Sequence, residues 1–137
     1  MNNHQKMVLD FHKKYGCAIA SIPATPSAHL GLLRSRLIAE EYAEFITAVS
    51  NQDIVKVADA LCDILYVVYG AAVVWGIDLE PLFKEVHESN MTKTGGGSDF
   101  GGKVIKGPNF VPPNLFDRLM EQGFNPNTDD VSPVEAE

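Results

Sequence analysis

The stretch that decides the fold is VADALCDILYVVYGAAVVWG, which runs from Val57 to Gly76. It is nearly all apolar, yet Asp59 and Asp63 lie one helical turn apart in its first third. A membrane span needs about 20 apolar residues, and carboxylates are costly in lipid. We therefore expect a core helix and no membrane partner, and we ask what makes two carboxylates tolerable in that core.

The bulk composition predicts an ordinary globular domain. The chain has 137 residues, 45% hydrophobic and 21% charged, with a formal net charge of −7. This acidity argues against a nucleic acid polymer as partner, because such binding needs clustered Lys and Arg. Two cysteines without ligand spacing indicate reduced thiols in a cytoplasmic protein, with Cys62 in the core. We expect one domain over residues 1–122 and an acidic flexible tail over residues 123–137.

Apolar spacing and capping residues predict helices and no strands. Asp53 and Asp78 are the expected N-caps of the third and fourth helices, and Gly16 and Gly76 end the first and third. The helices are predicted at 4–15, 30–50, 54–76, 79–92 and about 114–122, with a Gly/Pro-rich loop at 94–113. The sequence therefore predicts an all-α fold, an antiparallel bundle of about four helices completed by oligomerisation, with a Gly/Pro-rich C-terminal extension.

Acidic side chains cut across the faces of two helices that should be buried. At 100° per residue, Glu41 lies near the middle of the apolar arc of the second helix, and Glu44 lies on the same arc. Asp59 and Asp63 share one face of the third helix. Helices joined by a short connection pack antiparallel, so we expect these two acidic patches to meet.

Carboxylates that face each other inside a fold need either protonation or a cation. Oxygen ligands alone suit Mg²⁺, with Mn²⁺ as a possible substitute, and Mg²⁺ commonly completes its coordination with substrate phosphates. A di-iron bundle would also bury acids between helices. That alternative requires Glu-x-x-His pairs, and none of the four histidines has a Glu three residues before it.

Basic residues near these acids are candidate phosphate contacts. Asn90 and Lys93 continue the apolar stripe of the fourth helix, where a lysine can hold a phosphate or simply favour the helix end. Lys56 and Arg34 are expected to point toward the acidic face. Charge balance is the alternative role for these two.

Three motifs in this order resemble one family. RLIAEEYAEF, ADALCDILYVVYG and EVHESNMTK, at residues 36–45, 58–70 and 85–93, resemble the MazG-like all-α nucleoside triphosphate pyrophosphohydrolases. That superfamily includes phosphoribosyl-ATP pyrophosphohydrolases and all-α dUTPases. KGPNFVPP, at residues 106–113, resembles a further segment of the MazG-like branch. The resemblance covers roughly residues 7–120.

The resemblance implies a set of metal ligands. The family pattern is EExxE on one helix and ExxD on the next, and Glu40, Glu41 and Glu44 match the first motif in full. Asp63 closes the second motif, but Ala60 stands where the pattern has Glu. Asp59 lies on the same face as Asp63 and is the expected substitute. Glu41, Glu44 and Asp63 are thus the implied Mg²⁺ ligands, with Asp59 assisting.

The resemblance also implies the reaction. A (deoxy)nucleoside triphosphate would be hydrolysed between its α and β phosphates, giving a monophosphate and pyrophosphate. Glu40 is the expected general base, and Asn90 and Lys93 are expected to contact the phosphates or the sugar. Lys56 and Arg34 are further candidate substrate-binding residues.

Two alternatives to an enzyme remain at the level of sequence. The Ala60 departure fits a non-catalytic nucleotide- or metal-binding module, and a helical oligomerisation module would leave the acids merely solvated. The third helix is apolar all round, so we expect a homodimer or homotetramer to cover it.

Overall fold

The fold is organised around a helical hairpin of α2 (Ala28–Ser50) and α3 (Ile54–Trp75), which pack closely along each other. The computed structural model describes residues 1–128. The two helices are antiparallel and joined by the three residues 51–53. The hairpin therefore places the second half of α2 opposite the first half of α3.

Capping residues set the ends of both hairpin helices. The Ser27 side chain accepts a hydrogen bond from the Leu30 N–H, so α2 begins two residues earlier than the sequence predicts. Asp53 caps α3 as predicted, because its carboxylate accepts from the N–H groups of Val55 and Lys56. Gly76 ends α3 in a left-handed conformation with φ of 66°, which a glycine adopts without steric cost.

Three further helices flank the hairpin. α1 (Asn3–Tyr15) packs on α3 and buries Val8, while α4 (Leu79–Asn90) begins after the predicted cap Asp78. α5 (Leu115–Glu121) follows the long loop. The all-α class predicted from sequence is confirmed. Within residues 1–128 the loop contains a single isolated bridge, between Ser98 and Val104, and no strand.

Two glutamine side chains clamp the turn between α3 and α4. Buried Gln5 donates to the Ile77 carbonyl at 2.7 Å and accepts from the Leu79 N–H at 3.1 Å. Gln122, just after α5, accepts from the Asp78 N–H and donates to the Asp78 carbonyl. These amides satisfy backbone groups that a helix end leaves unpaired, and they tie both ends of the described chain to one turn.

The fourth helix does not complete a bundle within one chain. In the described part of the protein, α4 packs on α5 and makes no extensive contact with α2 or α3. Phe83, expected in the apolar stripe of α4, is 75% exposed. A four-helix bundle therefore remains a prediction that depends on a second chain. The tail predicted as flexible extends into residues 129–137, which lie outside the described residues.

The apolar surface of α3 is largely uncovered. Only 28% of its most apolar 18-residue window is buried, and Leu65 is 56% exposed. Cys62 was predicted in the core, and this was wrong, since the residue is exposed. By length and composition alone α3 could also cross a membrane, as core helices of soluble proteins often could.

Replacing Gln5 with Ala should destabilise the fold measurably. The change leaves a part-buried carbonyl and a part-buried N–H without their partner, which costs about 1–3 kcal/mol. Urea unfolding followed by circular dichroism measures the loss. Lys6→Ala, at an exposed position of the same helix, should stay within about 0.5 kcal/mol of the parent protein. Equal stability of the two variants would contradict the clamp.

Candidate functional site

Three carboxylates meet across the seam of the hairpin. Glu41 and Glu44 from α2 and Asp63 from α3 each offer an oxygen, and these oxygens lie within 4.8 Å of one another. The antiparallel pairing of the helices produces this arrangement, because it sets the end of one acidic patch against the start of the other. We call Glu41, Glu44 and Asp63 the carboxylate cluster.

Within the carboxylate cluster, the surroundings of Glu41 disfavour its charged form. One of its oxygens, Oε2, is buried and has no hydrogen-bond partner among residues 1–128. Burial raises the pKa of Glu41, and the neighbouring charges of Glu44 and Asp63 raise that pKa further. The charges of Glu40 and Asp59 raise that pKa by smaller amounts. A half-buried carboxylate that faces two others is stabilised by a cation or by a proton.

The donor set of the carboxylate cluster fits a hard divalent cation. All of its donor atoms are carboxylate oxygens, which Mg²⁺ and Mn²⁺ prefer over softer ligands. The unpartnered Glu41 Oε2 has lone pairs that no hydrogen bond among the described residues uses. Three carboxylates also leave room for water or a phosphate oxygen, as Mg²⁺ coordination usually requires.

Two other predicted acids lie beside the cluster rather than in it. Asp59, the expected substitute for the missing Glu, is exposed and lies outside the group of oxygens that come within 4.8 Å. Glu40, the expected general base, is exposed on the flank of Glu41. Both are near enough to act on the charge of Glu41.

An open cleft of about 450 Å³ lies next to the carboxylate cluster, toward the closed end of the hairpin. Lys56 lines this cleft, so the structure brings it to the site. We call this the hairpin cleft and define it by an alanine floor and a charged rim. The floor is Ala48 and Ala60, Ala43 lines an exposed wall, and the charged rim is Glu44, Lys56 and Asp59.

Arg34 lies elsewhere on the hairpin. It is seven residues before Glu41, so it is about 10 Å from that residue along the same helix. The guanidinium of Arg34 packs against Gly70, beside the ring of His12. A Cβ atom placed on Gly70 would lie 3.0 Å from Arg34 Nη1 and 3.3 Å from His12 Nε2. Burial lowers the pKa of Arg34. Substrate binding by Arg34 stays a prediction.

His12 is a buried neighbour that the sequence analysis missed. Its Nδ1 lies 2.9 Å from the Ala18 carbonyl, which can only accept, so Nδ1 carries the proton. Burial lowers the pKa of His12 and the charge of Arg34 lowers it further, so the ring is neutral at pH 7. Its position four residues after buried Val8 was the available signal in the sequence.

The two polar residues at the end of α4 are not brought to the cluster within one chain. Asn90 is exposed at the last position of α4, and Lys93 is half-buried three residues later. Neither lines the hairpin cleft, and the charge of Lys93 is not among those that shift the pKa of Glu41. Their substrate contacts stay a prediction.

Comparison with known proteins supplies the family. A sequence profile described as phosphoribosyl-ATP pyrophosphohydrolase matches residues 8–90, which is more than half of the chain. The chain belongs to this family. The resemblance to MazG-like all-α pyrophosphohydrolases is therefore confirmed, and hydrolase chemistry is the family's general activity. The matched segment holds α2 and α3, which carry the carboxylate cluster, together with α4 and most of α1.

A viral relative matches a shorter segment. The uncharacterized protein L479 of Acanthamoeba polyphaga mimivirus is 48% identical over 48 residues. This covers 35% of the present chain and 19% of that protein. The chain therefore spans a small part of the length of this relative, whose name gives no activity.

Replacing Glu41 with Gln should stabilise the metal-free protein and remove its response to Mg²⁺. Because the native pKa of Glu41 is raised, the native state loses stability as pH rises through that pKa. A neutral amide avoids this loss and can donate to the neighbouring carboxylates. We expect the metal-free Tm at pH 7 to rise by roughly 2–4 °C. Differential scanning calorimetry with and without Mg²⁺ measures both effects.

The matched control is Asp10→Asn, which removes an exposed acid from α1. This variant should keep the parent Tm without metal and the full increase in Tm on adding Mg²⁺. A Glu41→Gln protein that is stabilised by Mg²⁺ as strongly as the parent protein would exclude Glu41 as a ligand.

Proposed function

We propose that the protein is a Mg²⁺-dependent nucleoside triphosphate pyrophosphohydrolase, which converts a (d)NTP to a (d)NMP and pyrophosphate. The observation that carries the proposal is the carboxylate cluster, with its buried unpartnered Glu41 oxygen, in a chain of a pyrophosphohydrolase family. An acidic cluster repels a polyphosphate unless a cation lies between them. The site therefore suits a substrate that arrives with Mg²⁺.

The proposed roles follow from position. Glu41, Glu44 and Asp63 hold the cation, and bound Mg²⁺ supplies phosphate charge neutralisation and polarisation of the phosphorus under attack. Glu40 is exposed on the flank of the cluster and accepts the proton of the attacking water. Asp59 holds water-mediated contacts at the rim, where its carboxylate is too far away to join the other three.

Cationic and amide side chains bind the substrate in this proposal. Lys56 on the cleft rim makes no ion pair within 4 Å to any described residue, so its ammonium is available to a ligand. Asn90, Lys93 and Arg34 are the further proposed contacts. Asn90 and Lys93 are proposed to contact substrate bound at the carboxylate cluster of a second chain. Among the described residues, α4 makes no extensive contact with the hairpin of its own chain.

A panel of NTPs and dNTPs with Mg²⁺ tests the reaction. Pyrophosphate release should occur with at least one nucleotide and should cease in EDTA. Asp63→Asn should lower kcat by at least about a hundredfold, because an amide neither neutralises nor binds the cation as a carboxylate does. Glu40→Gln should lower kcat by about 10²–10⁴-fold, the usual contribution of a general base.

Asp10→Asn again serves as the control and should keep the parental kcat. Release of orthophosphate instead of pyrophosphate would contradict cleavage between the α and β phosphates. Tight nucleotide binding without any turnover would instead select a non-catalytic binding module, the reading that Ala60 favours. Equal turnover by the parent protein and Asp63→Asn would contradict the proposed metal site.

We further propose that the protein is a cytoplasmic homodimer or homotetramer, with no membrane partner. The uncovered apolar surface of α3 supports this, together with the exposed Phe83 of α4 and Ile54 and Val55 at the start of α3. Large contiguous apolar surfaces on a globular protein mark contacts with other molecules. Charges at Lys56, Asp59 and Asp63 on the same helix argue for protein over lipid as the covering partner.

Light scattering after size-exclusion chromatography measures the assembly. We expect twice or four times the 15.0 kDa chain mass. Leu65→Glu should shift the mass toward one chain, because it places a charge in the proposed contact. The control Lys84→Glu changes an exposed residue of α4 and should leave the mass unchanged. A parent protein of one chain mass at micromolar concentration would contradict the proposal.

A further inference from the structure

The hairpin cleft adjoins the carboxylate cluster and shares Glu44 with it. Its volume of about 450 Å³ lies in the range of small-molecule sites, which is roughly 300–1,000 Å³. Any ligand anchored at the carboxylate cluster therefore has an adjoining space into which its remaining part can extend.

Small side chains make this space. Ala48 and Ala60 form the floor, each with 3% of its surface exposed, and Ala43 lines the cleft from an exposed position on α2. Ala60 is also the residue that departs from the ExxD pattern. The absence of a glutamate side chain there leaves room in the cleft as well as one carboxylate fewer. An apolar floor of this kind suits the flat face of a ring.

The rim of the cleft favours hydrogen-bond donors over anions. The carboxylates of Glu44 and Asp59 outnumber the ammonium of Lys56, so the charged rim carries a net negative charge. Thr47 and Asn51 also line the cleft and add neutral oxygen acceptors. Such a rim can accept hydrogen bonds from the hydroxyl and amino groups of a ligand, whereas it would repel a phosphate.

We propose that the hairpin cleft is the nucleoside subsite of the protein and that it takes the sugar and base while the phosphates stay at the carboxylate cluster. The proposal rests on the proposed hydrolysis of nucleotides. Charge separates the two parts of the substrate. The polyphosphate binds where a cation is held, and the uncharged sugar and base bind in a cleft rich in hydrogen-bond acceptors. Ala43 and Ala60 then limit the size of the group that enters.

A larger side chain on the exposed wall of the cleft tests whether the sugar and base bind there. Ala43→Leu adds bulk where the parent side chain is exposed, so it should leave the hairpin core intact. We would measure KM for the best nucleotide of the panel and the inhibition constant of inorganic tripolyphosphate, which has no sugar or base. The expected result is at least a tenfold rise in KM, with the tripolyphosphate constant unchanged within twofold.

The matched control is Ala39→Leu, which makes the same change at an exposed position one turn earlier on α2, outside the cleft lining. It should leave both constants unchanged within twofold. Circular dichroism and light scattering check that Ala43→Leu keeps the parental fold and mass. If it does not, Thr47→Ile fills the same exposed wall, and the same split between nucleotide and tripolyphosphate is expected.

An unchanged KM in a folded, cleft-filled variant would overturn the nucleoside subsite and leave the hydrolase proposal standing. An equal rise of both constants would also overturn it, because the cleft would then hold phosphate. A parent protein that turns over no nucleotide would overturn the proposed function, and the subsite would fall with it.

Discussion

Mutual repulsion of carboxylates in the seam of a helical hairpin is the constraint on which the account depends. Glu41, Glu44 and Asp63 bring their oxygens within 4.8 Å of one another, and one Glu41 oxygen is buried without a partner. The packing of α2 on α3 brings these charges together, and it therefore raises the free energy of the site when no cation is bound. Binding of a cation to the native state reverses this, so folding and metal binding are coupled.

The alanines of the hairpin connect this constraint to specificity. Small side chains at Ala48 and Ala60 let α2 and α3 approach near their connection, and the same small side chains leave a cleft beside Glu44. The departure at Ala60 changes two properties together, because it removes a ligand from the family pattern and adds space next to the remaining ones. Asp59 stays at the rim of that space.

Much of the fold was predictable because its determinants are local. The caps Asp53 and Asp78 and the terminating glycines Gly16 and Gly76 act within one turn of the chain, and the structure has them in those roles. The meeting of Glu41 with Asp63 was accessible too, since helical periodicity and a short connection determine it. Ser27 was missed as the cap of α2, so that helix starts earlier than predicted.

What the sequence did not reveal depends on tertiary packing. Gln5 and Gln122 are far apart in the chain and meet at one turn, which no periodicity encodes. The burial of Cys62 was predicted wrongly. An apolar helix indicates that its side chains are buried, but it does not indicate whether the same chain or a second chain covers them. The placement of Arg34 beside Gly70 and His12 required the third dimension, because side-chain reach across helices decides it.

The most direct measurement is a crystal structure of the protein grown with Mn²⁺, with the ion located by anomalous scattering. The account predicts an anomalous peak within direct coordination distance of carboxylate oxygens from Glu41, Glu44 and Asp63 together. Well-ordered side chains with no anomalous peak at these three residues, or with peaks only elsewhere on the chain, would contradict the claim that a cation stabilises the hairpin seam.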